Sequence, residues 1–592
     1  MEYYYTNEQN HQILIALLKK FGIQMVVASP GTTNMSLVSS LQQDSYFTIY
    51  SSVDERSAGY IACGLAAELQ EPVVLTCTGA TASRNYYSAL TEAFYRKLPV
   101  LAVTSSQGVL KAGHHIPQVI DRTSIANDIA VFNTTLSTVK DSDDFKSCEL
   151  LANKALIKLT QNGGGPVHIN LETQYSRNYS IKKLPDVRKI DFYSYTDTLP
   201  ILRNKKVAIF IGSHQPMTQE LVNCIDSFCE THNGLVLCDH TSGYNGKYKI
   251  LPAIIGGQKK LDLTPYLPDL TIHIGEVSGD YDGVRLCRNE IWRVSEDGIL
   301  RDTFGGLKMV YEMSPLYFFR YYLNQIPNDC ISSDLSYYQL LQNLENEIRS
   351  KLPEIELSNL WVASQLSDKI PEGSVLHLAI LNSLRAWNYF QLPKGIYAYS
   401  NVGGFGIDGA LSSSLGASLA HPDKLYYIVI GDLALFYDLN VLGNRHLGKN
   451  LRILLINNGV GCEFKNYSHR AAEFGAEADD FMAARGHFGA KSPYLIKHFS
   501  ENLGLSYLTA STKEEFQNSI EQFTNPEIGN QSIIFEVFTD DFDESEALRK
   551  YNSIMISPQK NNTIDRLKHQ AKRVLGNNLY HKIRKIANKS NS

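Results

Sequence analysis

Asp432 and Asn458 lie 26 residues apart, each just past a strand-length apolar run. Run 426–430 ends in Gly431-Asp432, and run 453–456 ends in Asn457-Asn458. If the two runs pair as neighbouring parallel strands, a carboxylate and an amide oxygen meet on one sheet edge. The backbone carbonyl of Val460 follows just beyond. Such an all-oxygen set suits Mg²⁺ holding a diphosphate. Singly, an Asp capping a helix and an Asn in a turn are ordinary features. The joint spacing carries the signal.

A second motif precedes them. Gly404-Phe405-Gly406-Ile407-Asp408-Gly409 matches GxGxxG after a strand at 395–400 and before a helix at 410–420, with Asp432 23 residues on. This pattern is close to a dinucleotide fingerprint, so an NAD-dependent oxidoreductase is one reading. Glycine backbone at a helix N-terminus also suits the diphosphate of any coenzyme, and a turn that only packs strand against helix is a third reading.

These motifs need a scaffold that brings strand ends together. The chain alternates strand-like and helix-like segments, which predicts an α/β protein of three doubly wound parallel-sheet domains. We place them at 1–185, 199–335 and 355–545, with a polar linker at 182–198 and a basic helical tail at 546–592. A helix is expected at 55–69, another at 436–445. Ligands in such sheets bind where strand carboxyl ends enter helices.

Composition narrows the class. The 592 residues are 43% apolar and 20% charged with net charge −5, which excludes a disordered or fibrous chain. Apolar runs stay short of the ~20 residues of a membrane span. The polar start lacks a signal-peptide pattern. Nine irregularly spaced cysteines without CxxC speak for reduced thiols. A cytoplasmic location is the expectation. From Lys560 onward nine Lys/Arg face only Asp565, a tail of +8 against a body of −13. Apolar residues there recur at helical spacing, which suits docking on the acidic body or a neighbouring subunit, or weak membrane-surface contact. Nearly absent aromatics argue against nucleic acid.

With Gly431-Asp432 and Asn457-Asn458 as anchors, the chain resembles the thiamine-diphosphate enzyme family of acetolactate synthase and pyruvate decarboxylase type. Asp54-Glu55-Arg56-Ser57-Ala58-Gly59 resembles the family's glutamate, placed before an Ala/Gly-rich helix. Gly79–Asn85 and 98–104 resemble the next loop and strand. The resemblance spans about residues 10–545. It implies pyrimidine-binding, central and diphosphate-binding domains, and a homodimer or homotetramer with active sites between subunits. The implied cofactors are thiamine diphosphate and Mg²⁺; FAD is not expected. Glu55 would act on the aminopyrimidine. Gly31, Ser383, Gly404, Phe405, Gly406, Ile407, Gly431, Asp432, Leu433, Ala434 and Asn458 would line the cofactor. Asp432, Asn458 and Val460 would hold the metal.

In scaffold the chain is most similar to the menaquinone-pathway branch, through Gly431–Asn440, Gly406–Gly409, Asn382-Ser383 and Ser295–Gly298. That branch's substrate arginines do not carry over. Thr32-Thr33, Val402 and Gln107 stand in their places, and arginine forks are what bind dicarboxylates bidentately. A pyruvate-like 2-oxo acid is therefore the expected donor. Carboligation to a second carbonyl is expected, with simple decarboxylation to an aldehyde as the alternative. His114, His115 and Gln118 lie where relatives place active-site residues, and imidazoles there suit proton transfer. Glu463 follows the metal loop one register off the position of a decarboxylase glutamate. Arg84 suits a substrate carboxylate, or a surface ion pair.

Overall fold

The computed structural model describes residues 4–202, 205–325, 334–486 and 492–555. The basic segment from Lys560 onward lies outside the described residues. The chain divides into two compact units. Unit 1 comprises 1–197 with 299–303 and 307–310; unit 2 comprises the remainder.

Unit 1 is built on a parallel sheet. Its strands run, in spatial order, Thr48–Ser51, Met25–Ala28, Val73–Thr78, Val100–Ser106, Val167–Glu172 and Phe132–Leu136. Val100–Ser106 and Val167–Glu172 are buried along their whole length, as expected where helices cover both faces. Helix Glu55–Leu69 starts on Asp54, whose carboxylate accepts the Ser57 N–H at 3.2 Å, a good N-cap. Its Ala and Gly content has a packing cause. Ala58, Gly59, Ala62, Cys63 and Ala66 form the buried face. A Cβ on Gly59 would sit 2.6 Å from the Ala89 Cβ of helix Tyr87–Arg96. Any larger residue would push this helix, which carries Glu55 at its start, away from helix Tyr87–Arg96.

Unit 2 holds two sheets. One contains parallel strands Lys249–Ile250, Gly234–Cys238, Val207–Ile211, Leu270–Ile274 and Glu290–Ser295, in that order. The other runs Tyr397–Tyr399, Val375–Leu378, Tyr426–Gly431, Leu451–Asn457, Ile533–Phe538 and Ser506–Ala510, again all parallel. In chain order this repeats the 2-1-3-4-6-5 arrangement of the unit 1 sheet. The α/β class with parallel sheets is thus the observed one.

The helix expected at 436–445 is not formed. A helix spans Asp432–Tyr437, and a 3₁₀ segment covers Leu439–Gly443. Asp438 explains the break. Its carboxylate accepts both the N–H of Ser412, at 2.6 Å, and the Ser412 hydroxyl, which holds the chain out of α geometry. The 182–198 segment contains strand Asp191–Ser194.

Candidate functional site

In unit 2, strands Tyr426–Gly431 and Leu451–Asn457 pair in parallel with Gly431 opposite Ile456. Their carboxyl ends therefore lie side by side. Asp432 opens the next helix and is buried, 3% exposed. Its Oδ1 accepts the Leu433 N–H at 2.7 Å and its Oδ2 the Gly459 N–H at 2.6 Å. Burial nonetheless raises its pKa to about 6, because desolvation of the carboxylate outweighs the backbone donors.

The two asparagines divide their work. Asn457 donates to Glu536 at 2.7 Å and accepts the Gly459 N–H at 3.2 Å, so it holds the loop to the neighbouring strand. Asn458 Oδ1 is buried without a hydrogen-bond partner. An orphaned buried acceptor is costly unless something outside the chain satisfies it. Val460 is buried beside them. Among the described residues no group of three His, Cys, Asp or Glu side chains forms a metal cluster. The candidate set is one carboxylate, one amide oxygen and a carbonyl, hard oxygens that fit Mg²⁺.

The surrounding backbone leaves room for a ligand. A Cβ on Gly403, Gly404 or Gly431 would meet nothing within 4 Å. The glycine turn leads from strand Tyr397–Tyr399 into helix Ala410–Ala420, with Gly409 at its cap. Gly406 is packed against Asp408, whose Oδ1 lies 2.3 Å from where a Cβ would stand. Phe405 takes a left-handed φ of 55° and its ring lies 5.7 Å from that of Tyr281. Leu381, just before Asn382 and buried Ser383, has φ 71°. Two non-glycine residues held in this region on one sheet edge mark stored strain of the kind found at binding sites. Ile407 packs against the cores on both sides of the sheet. Leu433 and Ala434 continue the helix opened by Asp432.

In unit 1, Glu55 is half-buried at its helix start, and Asn85 donates to its Oε2 at 3.3 Å. Beneath it Tyr86 and Cys77 are buried, and both have their pKa raised by burial, with the Glu55 charge contributing. Gly31 follows strand Met25–Ala28, and a Cβ there would lie 2.9 Å from the Thr78 Cβ.

The remaining candidates are dispersed. His114, His115 and Gln118 are all exposed, outside any helix or strand. Arg84 donates to the Tyr87 hydroxyl and, at 2.8 Å, to the Asp121 carbonyl. Glu463 is held by Arg385, a partner 78 positions away in the chain that no local pattern reveals. Asn85 and Tyr281 also escape sequence reasoning, since both act through contacts made only in the fold. The three positions lacking arginine are filled by settled neutral residues. Thr33 donates to the Ser105 carbonyl, Gln107 donates to the Tyr175 hydroxyl at 3.1 Å, and Val402 is 4% exposed.

The eight described cysteines are unbonded and buried, in keeping with reduced thiols. Among the described residues no helix is long and apolar enough to cross a membrane.

Residues 9–125 match the family described as thiamine pyrophosphate enzyme, N-terminal TPP binding domain. Over 573 residues the chain is 30% identical to the 2-succinyl-5-enolpyruvyl-6-hydroxy-3-cyclohexene-1-carboxylate synthase of Bacteroides thetaiotaomicron, covering 92% of this chain and 99% of that one. It is 29% identical over 578 residues to the synthase of the same name from Phocaeicola vulgatus, covering 92% and 98%. The Flavobacterium psychrophilum synthase is 27% identical over 549 residues, covering 89% and 95%. With the strand-end site and these alignments together, the chain belongs to the thiamine-diphosphate enzyme family.

Proposed function

We propose that the protein catalyses thiamine-diphosphate- and Mg²⁺-dependent decarboxylation of a pyruvate-like 2-oxo acid, with transfer of the remaining acyl fragment to a second carbonyl. The observation that carries this reading is the buried, unpartnered Asn458 Oδ1 beside Asp432 at adjacent strand ends. When bound, the cofactor supplies an electron sink for the pair released as the carboxylate carbon leaves as CO₂. Asp432, Asn458 and the Val460 carbonyl would hold the Mg²⁺, and the glycine turn at 404–409 would receive the diphosphate. Glu55 would hydrogen-bond the aminopyrimidine and favour its proton-accepting form. In the transfer step a carbon–carbon bond forms to the acceptor carbonyl, whose oxygen takes up a proton. In this reading His114 or His115 would supply that proton, since an imidazole can transfer one near neutral pH.

The relatives bear the name of a synthase whose product carries a succinyl group. Thr32-Thr33, Gln107 and Val402 argue against the same donor here, because no cation stands at those positions to take a second carboxylate. The protein works as a homo-oligomer in this reading. Exposed Val53, Tyr60, Ile61 and Leu69 around the Glu55 helix would be covered by a second copy.

A screen of 2-oxo acids with thiamine diphosphate and Mg²⁺, with and without carbonyl acceptors, tests this. CO₂ release, with a product heavier than the acceptor by the acyl fragment, is expected. Absence of CO₂ from every acid, with nicotinamide cofactor bound to the purified protein, would overturn it.

A further inference from the structure

Arg385 and Glu463 form a bidentate ion pair on the ligand edge of unit 2. Arg385 lies in helix Asn382–Trp387, which follows strand Val375–Leu378. Glu463 lies in the 3₁₀ turn Cys462–Lys465, which follows strand Leu451–Asn457 and the Asn458 loop. In the sheet these two strands flank Tyr426–Gly431, the strand that ends at Asp432. The pair thus joins the loops on either side of the candidate metal site.

Its geometry is that of arginine recognising a carboxylate. Arg385 donates through Nη1 to Glu463 Oε2 at 2.7 Å and through Nη2 to Oε1 at 3.0 Å. Nη1 also donates to Asn382 Oδ1 at 2.9 Å. Asn466 donates to Glu463 Oε2 and to Asn382 Oδ1, each at 3.0 Å. Both Glu463 oxygens are thus engaged by the fork, and Oε2 also by Asn466. The side chains are 18% and 20% exposed, so the pair is reachable from solvent. Tyr281, whose ring meets Phe405 of the glycine turn, feels the charges of both partners. The pair thus lies within electrostatic range of a residue that packs on the 404–409 turn.

A partly buried ion pair is a weak way to stabilise a fold, since desolvation consumes most of its Coulomb gain. Packing alone does not explain a planar fork on a ligand edge. Nor is there space for a second carboxylate at the fork. The adjoining cavity, lined by Asn382, Arg385, Cys462, Asn466 and Glu544, measures about 20 Å³, room for about one water.

We propose that Glu463 is a built-in carboxylate that fills the Arg385 fork, excludes the distal carboxylate of a dicarboxylic donor, and so restricts the enzyme to 2-oxo acids with a single carboxylate. This rests on the decarboxylase reading above and adds a specificity determinant to it. Glu463 is then occupied by Arg385 and does not serve as a proton donor to substrate. Removing the Glu463 carboxylate leaves the fork without its bidentate partner, only Nη1 keeping its bond to Asn382, and a substrate carboxylate regains it.

The test compares wild type, Glu463→Ala, Glu463→Gln and the double variant Glu463→Ala/Arg385→Gln as holoenzymes. CO₂ release is measured from pyruvate and from 2-oxoglutarate, the dicarboxylic probe, with the melting temperature of each variant. The 2-oxoglutarate-to-pyruvate ratio of kcat/KM should rise about ten- to a hundredfold in Glu463→Ala, the range of one charge-assisted contact. It should rise less in Glu463→Gln, whose amide still accepts one guanidinium hydrogen, and return to the wild-type ratio in the double variant. Ratios within twofold of wild type in whichever single variants fold would overturn the proposal. If wild type releases CO₂ from no acid, the decarboxylase reading fails, and calorimetry with 2-oxoglutarate decides this point separately. Saturable binding to Glu463→Ala but not to wild type or the double variant supports the proposal; no binding to Glu463→Ala refutes it.

Discussion

The Gly459 N–H donates to Asp432 Oδ2 at 2.6 Å, joining the ends of two neighbouring parallel strands through one buried carboxylate. The same loop leaves Asn458 Oδ1 buried and unsatisfied one residue earlier. The contact fixes the loop so that two hard oxygens face one edge before any ion arrives. Preorganisation of this sort lowers the cost of binding.

Metal binding should follow the protonation of Asp432. Burial holds its pKa near 6 in the metal-free chain, and a hard cation binds the ionised form. Calorimetric titration with Mg²⁺ should show affinity falling about tenfold per pH unit below 6 and levelling above it. Asp432→Asn should abolish the saturable signal. A pH-independent affinity between 5 and 7.5 would speak against Asp432 as a ligand.

Glu544 makes stability depend on pH in a definite direction. It accepts the Asn359 N–H at 2.9 Å and the Thr539 hydroxyl at 2.7 Å, yet burial raises its pKa to about 7. The folded state therefore keeps its proton to higher pH than the unfolded chain does. The resulting stability is complete below the unfolded value near 4.5 and is lost as pH rises through about 7. From the size of the shift the loss is about 3 kcal/mol. Unfolding free energy of wild type should fall between pH 5 and 8, and Glu544→Gln should flatten that fall. An unchanged slope in denaturant melts at the two pH values would contradict this.

His240 serves structure rather than proton transfer. It is 6% exposed, and its Nε2 donates to the carbonyls of Trp387 at 3.0 Å and Phe390 at 2.9 Å. Burial pushes its pKa down to about 3, so the ring stays neutral. These bonds fasten the end of helix Asn382–Trp387, which carries Ser383 and Arg385. His240→Ala should cost about 1–3 kcal/mol of stability. The cost should shrink as pH falls below 6.5, where unfolded wild type gains a proton that the folded state refuses. Urea melts at pH 8 and pH 5 read both effects.

What was legible in the sequence is what local pattern encodes. Strand-end pairs such as Gly431-Asp432 and Asn457-Asn458 announce themselves because apolar runs and polar stops are short-range signals. Edge strands Phe132–Leu136 and Ser506–Ala510 gave no such signal, since Asn133, Thr134 and Thr135, or Ser506 and Thr509, interrupt their apolar pattern. The helix expected at 436–445 failed on one tertiary contact, the Asp438 carboxylate caught by Ser412. The Arg385–Glu463 pair was invisible for the same reason, because its partners meet only when two strands flank a third. Which asparagine is free for a metal also depended on Glu536 claiming Asn457.

Glu55 is where the function is most exposed to test. Its carboxylate stands at a capped helix start with Asn85 as its hydrogen-bond donor, and Glu55→Gln preserves shape while removing the charge. Single-turnover CO₂ release from pyruvate, with thiamine diphosphate and Mg²⁺ saturating, compares this variant with wild type. Release by wild type and a loss of at least about a thousandfold in Glu55→Gln, ΔΔG‡ near 4 kcal/mol, with an unchanged melting temperature, is the predicted result. Equal rates in the two proteins would contradict the assignment of Glu55 and, with it, the cofactor chemistry proposed for this chain.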